Sequence, residues 1–128
     1  MAGNADRPEV SCDGTWKHYE VVVLHKKIFA QVKSLDYGCQ IILEGGSRSH
    51  IGAVVVIDEA GQDHLIAFAG HKEADVARDW AKKTYMLTKE PVCVTAGVHY
   101  DNLAKKDLLQ VIEGIEELWD KVAKGWEE

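Results

Sequence analysis

Short runs in which apolar and polar residues alternate fill the first half of the chain, a pattern typical of half-buried β-strands. The runs predict strands over residues 19–24, 28–35, 39–43, 51–58 and 64–69. Glycine, serine and charged residues separate these strands and indicate turns. One turn is a loop over residues 44–49 (EGGSRS), and another is a tight four-residue connection over residues 59–62.

In the second half, apolar residues recur at every third or fourth position over residues 73–88, which predicts an amphipathic helix. The apolar run 92–98 predicts a buried strand. A last apolar stripe over residues 108–122 predicts a second helix, capped by Asp101 or Asn102. This order predicts an α+β fold: a single layer of five to six mostly antiparallel strands in a mixed sheet, with two helices packed on it.

The length of 128 residues and the hydrophobic content of 46% suit one domain. We expect a flexible N-terminal arm over residues 1–15, a single α+β domain over residues 16–124 and a C-terminal tail over residues 125–128. The net charge of −6 argues against a protein that neutralises nucleic-acid phosphates. No run is long enough to span a membrane. We therefore expect a cytoplasmic protein that binds neither nucleic acid nor membranes.

The three cysteines are odd in number and form no CxxC pair, which favours a reducing compartment over a disulfide framework. Cys39 and Cys93 lie in apolar runs. We expect both to be buried thiols that behave as small hydrophobic side chains.

Three of the six histidines are predicted to meet at one edge of the sheet. If Asp58 pairs with Asp63 across the tight connection, His50 lies directly opposite His71. If the first helix is a crossover, the strands before and after it are parallel and end at the same edge. His99 follows the second of these strands and therefore reaches that edge as well.

Such a cluster predicts a metal site with open coordination positions at His50, His71 and His99. Neutral imidazoles suit zinc, iron, nickel, copper or manganese. The alternative is that the three are hydrogen-bonded surface groups. His18, His25 and His64 are expected to be solvated, and the same pairing places His64 opposite Ile57.

The glycine-containing loop is a candidate anion site. Gly45 and Gly46 would let backbone amides approach a phosphate, Ser47 could donate a hydroxyl, and Arg48 could bind bidentately. Lys72, at the start of the first predicted helix, is a further candidate for cofactor binding. The sequence does not match a Walker loop or the GxGxxG motif, and a flexible turn is the alternative.

Read together, these segments resemble the prenylated-flavin chaperone family, the small accessory subunits of gallate-decarboxylase-type, UbiD-like decarboxylases. The resemblance covers roughly residues 28–112. Its motifs occur in order as Gly45-Gly46, Ser49-His50-Ile51-Gly52, Gly70-His71-Lys72-Glu73 and Thr95-Ala96-Gly97-Val98-His99. Before residue 28 the chain departs from the family pattern, because residues 17–24 add strand material.

The resemblance implies a non-catalytic helper that binds prenylated FMN, protects or helps mature it, and supports its delivery to the large decarboxylase subunit. It implies a divalent transition metal at His50, His71 and His99, and the flavin phosphate at the glycine loop or a helix N-terminus. Chemical maturation of the cofactor and assembly into a homo-oligomer are left open.

Two other functions are consistent with the same residues. One is a small metal-dependent hydrolase in which the three histidines activate water and Glu73 or Asp101 is the general base. The other is a structural subunit without a ligand. The absence of a dedicated base motif such as HExxH favours the chaperone.

Overall fold

The structure is a computed structural model that describes residues 15–68 and 73–127. Its strands are β1 (Lys17–Val23), β2 (Lys26–Ser34), β3 (Cys39–Gly46), β4 (Arg48–Ile57), β5 (Asp63–Ala67) and β6 (Val92–His99). Its helices are α1 (Glu73–Thr88) and α2 (Lys105–Glu127). Most of the predicted N-terminal arm lies outside the described residues. Helix α2 includes residues 125–127, where the sequence pattern predicts a tail.

The strands form one mixed sheet in the order β1-β2-β3-β6-β4-β5. Strands β3 and β6 are parallel, and every other neighbouring pair is antiparallel. The predicted α+β fold, a mostly antiparallel mixed sheet with two helices, is confirmed. Because β5 and β6 are both antiparallel to β4, they run parallel to each other, as the predicted crossover requires.

Both helices pack on one face of the sheet, α1 against β4 and β6 and α2 against β1 and β2. Side chains alternate between the two faces of a strand, and those on the helix-covered face are buried. In β2 every second residue is buried, as at Ile28, Ala30 and Val32. Trp80 of α1 and Trp119 of α2 meet with ring centroids 5.3 Å apart. In the described part of the chain, no helix is long and apolar enough to cross a membrane.

Several strands and both helices begin or end at one edge of the sheet. Strands β3, β5 and β6 end there, β4 begins there, and both helices start close by. We call this edge the carboxyl edge. Ligands commonly bind at the carboxyl ends of parallel strands, where free amides of helix N-termini are also available.

The hairpin of β4 and β5 differs from its predicted register by one residue. Ile57 pairs with Asp63 and Val56 with His64, so the predicted pairing of Asp58 with Asp63 is wrong. Asp58 instead belongs to the turn, where its carboxylate accepts hydrogen bonds from two backbone amides at 2.9 and 3.0 Å. This side-chain turn lengthens the connection to five residues, which explains the shift.

The predicted loop over residues 44–49 is also wrong, since β3 extends to Gly46 and β4 begins two residues later. Gly45 and Gly46 have φ values of 138° and 83°. A Cβ on Gly45 would overlap the backbone carbonyl of Lys27, and one on Gly46 would overlap that of His99. Glycine is therefore required because the end of β3 is held tightly between β2 and β6.

Helix α2 begins at Lys105, so the predicted caps Asp101 and Asn102 are wrong; both lie in the preceding turn. Within α2, Gly114 is buried against β1. A Cβ at this position would overlap Cγ2 of Val23. The glycine thus lets α2 approach the sheet closely.

The two described cysteines are free thiols, with Cys39 buried and Cys93 half-buried. Burial raises the pKa of the Cys39 thiol to about 11, with a smaller contribution from Glu90. Burial also raises the pKa of Cys93. Both thiols therefore stay protonated at neutral pH, which fits their predicted packing role.

Candidate functional site

The imidazoles of His50 and His99 lie together at the carboxyl edge, with ring centroids 6.0 Å apart and ring planes at 84°. His99 is the last residue of β6, and His50 lies in β4 where its pairing with β6 shifts between Ser49 and Ala53. Gly97 permits this bulge, because a Cβ there would overlap the His50 carbonyl. His50 and His99 thus lie at the same edge, as predicted, and the bulge in β4 brings their rings together.

A carboxylate contacts each of these imidazoles. Glu73 Oε1, in the first turn of α1, lies 3.4 Å from His50 Nε2, and Asp101 Oδ1 lies 2.9 Å from His99 Nε2. The His50 and Glu73 side chains are 22% and 14% exposed, so this pair is the better shielded from water. A Cβ on Gly52 would meet the Glu73 carboxylate, so glycine at this position makes room for the contact.

The third predicted ligand, His71, and the predicted cofactor contact Lys72 lie outside the described residues. The predicted position of His71 opposite His50 depends on the pairing of Asp58 with Asp63, which is wrong. Among the described residues, no group of three or more His, Cys, Asp or Glu side chains is arranged to hold a metal ion. The structure thus brings together two of the three predicted ligands.

The remaining histidines are exposed and lie apart from this pair, as predicted. His18 and His64 contact Glu20 and Asp58 at 2.9 and 2.8 Å, and His25 lies in the turn between β1 and β2. A carboxylate partner is therefore common among the histidines of this chain. What distinguishes His50 and His99 is that their rings meet.

A pocket of about 420 Å³ opens beside the histidine pair and is lined by Arg48, Ser49, His50 and His99. Arg48 is the register partner of His99 and so shares its face of the sheet. Ser47 donates its backbone N–H to the His99 carbonyl at 2.6 Å, so this amide is engaged within the protein. The cationic group that this pocket offers an anion is the Arg48 side chain.

A second cavity, of about 280 Å³, lies on the helix-covered face between α1, α2 and the sheet. Apolar side chains dominate its lining: Leu43, Val76, Ala96, Val98, Leu108, Val111, Ile112 and Ile115. Glu73 and Asp75 complete it. We call this cavity the interhelix cleft. Because Glu73 both lines the cleft and contacts His50, the cleft and His50 are neighbours.

The sequence pattern assigns Leu108 and Ile112 to the core stripe of the second helix, and so misses the cleft. Leu108 remains 38% exposed and Ile112 45% exposed. Leu109 is the residue that could have indicated the cleft from the sequence. It extends the apolar surface at the start of α2 beyond one stripe and is 61% exposed. A helix with more apolar surface than the core covers leaves part of it facing solvent.

The fold is also found in a protein from the crystal structure of a novel chaperone complex for yeast 20S proteasome assembly. The match has a TM-score of 0.53 and covers 85% of this chain and 96% of that chain, with 12% sequence identity. At this identity the likeness concerns the fold alone. No curated protein matches the chain.

Residues 24–127 match the family model described as the prenylated flavin chaperone LpdD-like domain. The match spans all of the strands and helices described above except β1, and it includes the histidine pair, Arg48 and the interhelix cleft. The chain therefore belongs to the prenylated flavin chaperone LpdD-like family.

Proposed function

We propose that this chain binds prenylated FMN and protects it, helps mature it or delivers it as the accessory subunit of a UbiD-like decarboxylase of hydroxyaromatic acids. The observation that carries the proposal is the meeting of His50 and His99, beside a cationic pocket and an apolar cleft. A chaperone needs a site that holds its cargo and stays open for release. The carboxyl edge offers such a site.

We propose that His50, His71 and His99 hold a divalent transition metal ion. Two imidazoles on one tetrahedral ion place their ring centroids about 5 Å apart, given metal–nitrogen distances of about 2.1 Å. The 6.0 Å between the His50 and His99 centroids fits this arrangement after a small side-chain adjustment. A bound ion would supply a Lewis acid with open positions for flavin heteroatoms or the phosphate.

The carboxylates beside the histidines support the same proposal. Asp101 Oδ1 accepts a hydrogen bond from the Nε2–H of neutral His99, which leaves Nδ1 as the nitrogen with a lone pair. Glu73 stands in the same relation to His50 Nε2 at 3.4 Å. Carboxylates in such positions orient metal-binding histidines and fix their tautomer. We assign Glu73 and Asp101 this positioning role.

We propose that Arg48 binds the flavin phosphate, together with the Ser49 hydroxyl and with Lys72. The Arg48 guanidinium suits a phosphate because it can donate two parallel hydrogen bonds. Gly45, Gly46 and Ser47, predicted as ligands in their own right, would act by holding the end of β3 and the turn before Arg48 in place. An exposed Arg48 also explains how an acidic protein can bind one anion.

The alternative is a small metal-dependent hydrolase at the same histidines. Glu73 would then be the general base, and its contact with His50 is the observation that favours this function. The two functions differ in what the metal-loaded protein does. The chaperone retains flavin without turnover, whereas the hydrolase cleaves simple esters or amides.

The deciding experiment measures retention of reduced prenylated FMN by the full chain under anaerobic conditions, with and without added Zn²⁺, Fe²⁺, Mn²⁺ or Ni²⁺. We expect metal-dependent retention by the wild type. His50→Ala, His71→Ala, His99→Ala and Arg48→Gln should each weaken retention at least tenfold. His18→Ala is the matched control, because His18 also contacts a carboxylate but lies apart from the histidine pair.

Each outcome has a defined meaning. If the three histidine variants retain flavin as well as His18→Ala does, the metal site is wrong. Equal retention with and without metal contradicts the proposed role of the metal ion in binding but agrees with the proposed flavin site. Metal-dependent ester or amide turnover without flavin retention supports the hydrolase instead.

A further inference from the structure

The metal and phosphate contacts proposed above place no part of the ligand in the interhelix cleft, although Glu73 connects the cleft to His50. Its floor comes from the sheet, at Leu43, Ala96 and Val98, and its walls come from the two helices. Apolar groups that line a cleft and still face solvent gain free energy when an apolar ligand covers them. Leu108 and Ile112, at 38% and 45% exposure, are in this position.

The size of the cleft restricts what it can hold. Its volume of about 280 Å³ lies just below the range of roughly 300–1,000 Å³ found for whole small-molecule ligands. A flat fused ring system fits such a space, whereas a complete flavin nucleotide with its ribityl chain and phosphate does not. The cleft therefore suits one part of a larger ligand.

The charges of the cleft indicate which part enters it. Glu73 and Asp75 are the charged side chains among its described lining residues, and none of these residues is basic. Two carboxylates repel a phosphate and accept hydrogen bonds from ring N–H groups. Arg48 lines the other pocket, beside His99. An amphipathic ligand with an apolar ring and a phosphate would thus place its ring in the cleft and its phosphate outside.

We infer that the interhelix cleft binds the fused ring system of the prenylated flavin, with its prenyl-derived ring against the apolar walls and its ring heteroatoms at Glu73. This inference rests on the proposed function and adds the basis of its selectivity. Unmodified FMN lacks the prenyl-derived carbons. Each methylene-sized group moved from water into an apolar site contributes roughly fourfold in affinity, so two such groups predict a preference above about tenfold.

The test compares dissociation constants for reduced prenylated FMN and reduced FMN by anaerobic equilibrium dialysis of the full chain with saturating metal. We expect the wild type to prefer the prenylated form at least tenfold. Ile112→Trp fills the cleft and should abolish most of this preference, with at least a tenfold loss of affinity for prenylated FMN. Leu109→Trp is the matched control, because Leu109 lies on the same helix, is 61% exposed and does not line the cleft.

A second pair of variants covers the case in which Ile112→Trp does not fold, which thermal unfolding would reveal. Leu108→Glu places a charge at the partly exposed wall of the cleft, and Leu109→Glu places the same charge outside it. Loss of affinity in Leu108→Glu alone supports the inference. Equal affinities in the two variants overturn it.

The remaining outcomes separate the inference from the proposed function. If the wild type retains both flavins equally, or if folded Ile112→Trp binds as the wild type does, the ring lies elsewhere and the proposed function stands. If the wild type retains neither flavin, the proposed function fails and this inference fails with it.

Discussion

Substitution of Gly97 by alanine tests whether the bulge in β4 creates the histidine pair. Intrinsic preference alone favours alanine in a strand by about 0.5–1 kcal/mol, because glycine loses more backbone entropy on folding. The structure reverses this expectation. A Cβ on Gly97 would occupy the position of the His50 carbonyl, and a backbone atom cannot move aside by changing a rotamer. Strand β4 would have to shift away from β6.

Forcing an extra methyl group into a packed site costs roughly 1–3 kcal/mol. After the gain from intrinsic preference, we expect Gly97→Ala to lower the free energy of unfolding by about 1–2 kcal/mol. For a chain of 128 residues, whose unfolding entropy is about 2.1 cal/mol/K per residue, this corresponds to a fall in Tm of about 4–7 °C. The same shift should separate His50 from His99 and weaken metal-dependent flavin retention.

The measurements are urea unfolding, thermal unfolding by circular dichroism and the anaerobic flavin-retention assay. An unchanged or higher Tm would refute the reasoning, since it would mean that the His50 backbone does not lie over Gly97. A lower Tm with unchanged retention would show that the bulge contributes to stability but not to the site.

Two further predictions concern packing and thiol chemistry. Gly114→Ala should destabilise the protein by about 1 kcal/mol, because overlap with Val23 outweighs the helix-propensity gain of about 1 kcal/mol. In a Val23→Ala background the same substitution should become neutral or stabilising, and additive effects in this double-mutant cycle would contradict the contact. In a Cys12→Ser variant, Cys39 and Cys93 should react with a disulfide reagent at pH 8 far more slowly in the folded than in the unfolded chain, because burial raises the pKa of both thiols. Rapid reaction of either thiol in the folded protein would show that its strand opens.

His50 and His99 meet at the predicted edge of the sheet, although one of the predicted strand pairings is wrong. The crossover by α1 is confirmed, and it places the end of β6, with His99, at the edge where β4 begins. The hairpin register that predicts His50 opposite His71 is wrong by one residue, because Asp58 joins the turn. A side chain that bonds to the backbone within a turn changes the length of a connection, and residue type alone does not reveal whether it does so.

The sequence correctly predicts the strands, both helices, the α+β class and the edge at which His50 and His99 lie. These features depend on local periodicity and on chain connectivity, which are properties of neighbouring residues. The sequence pattern misses that Gly45 and Gly46 belong to a strand, that Gly97 allows His50 to approach β6, and that Leu108 and Ile112 border a cleft. Those outcomes depend on which atoms from distant parts of the chain come into contact, and the sequence pattern carries no record of that contact.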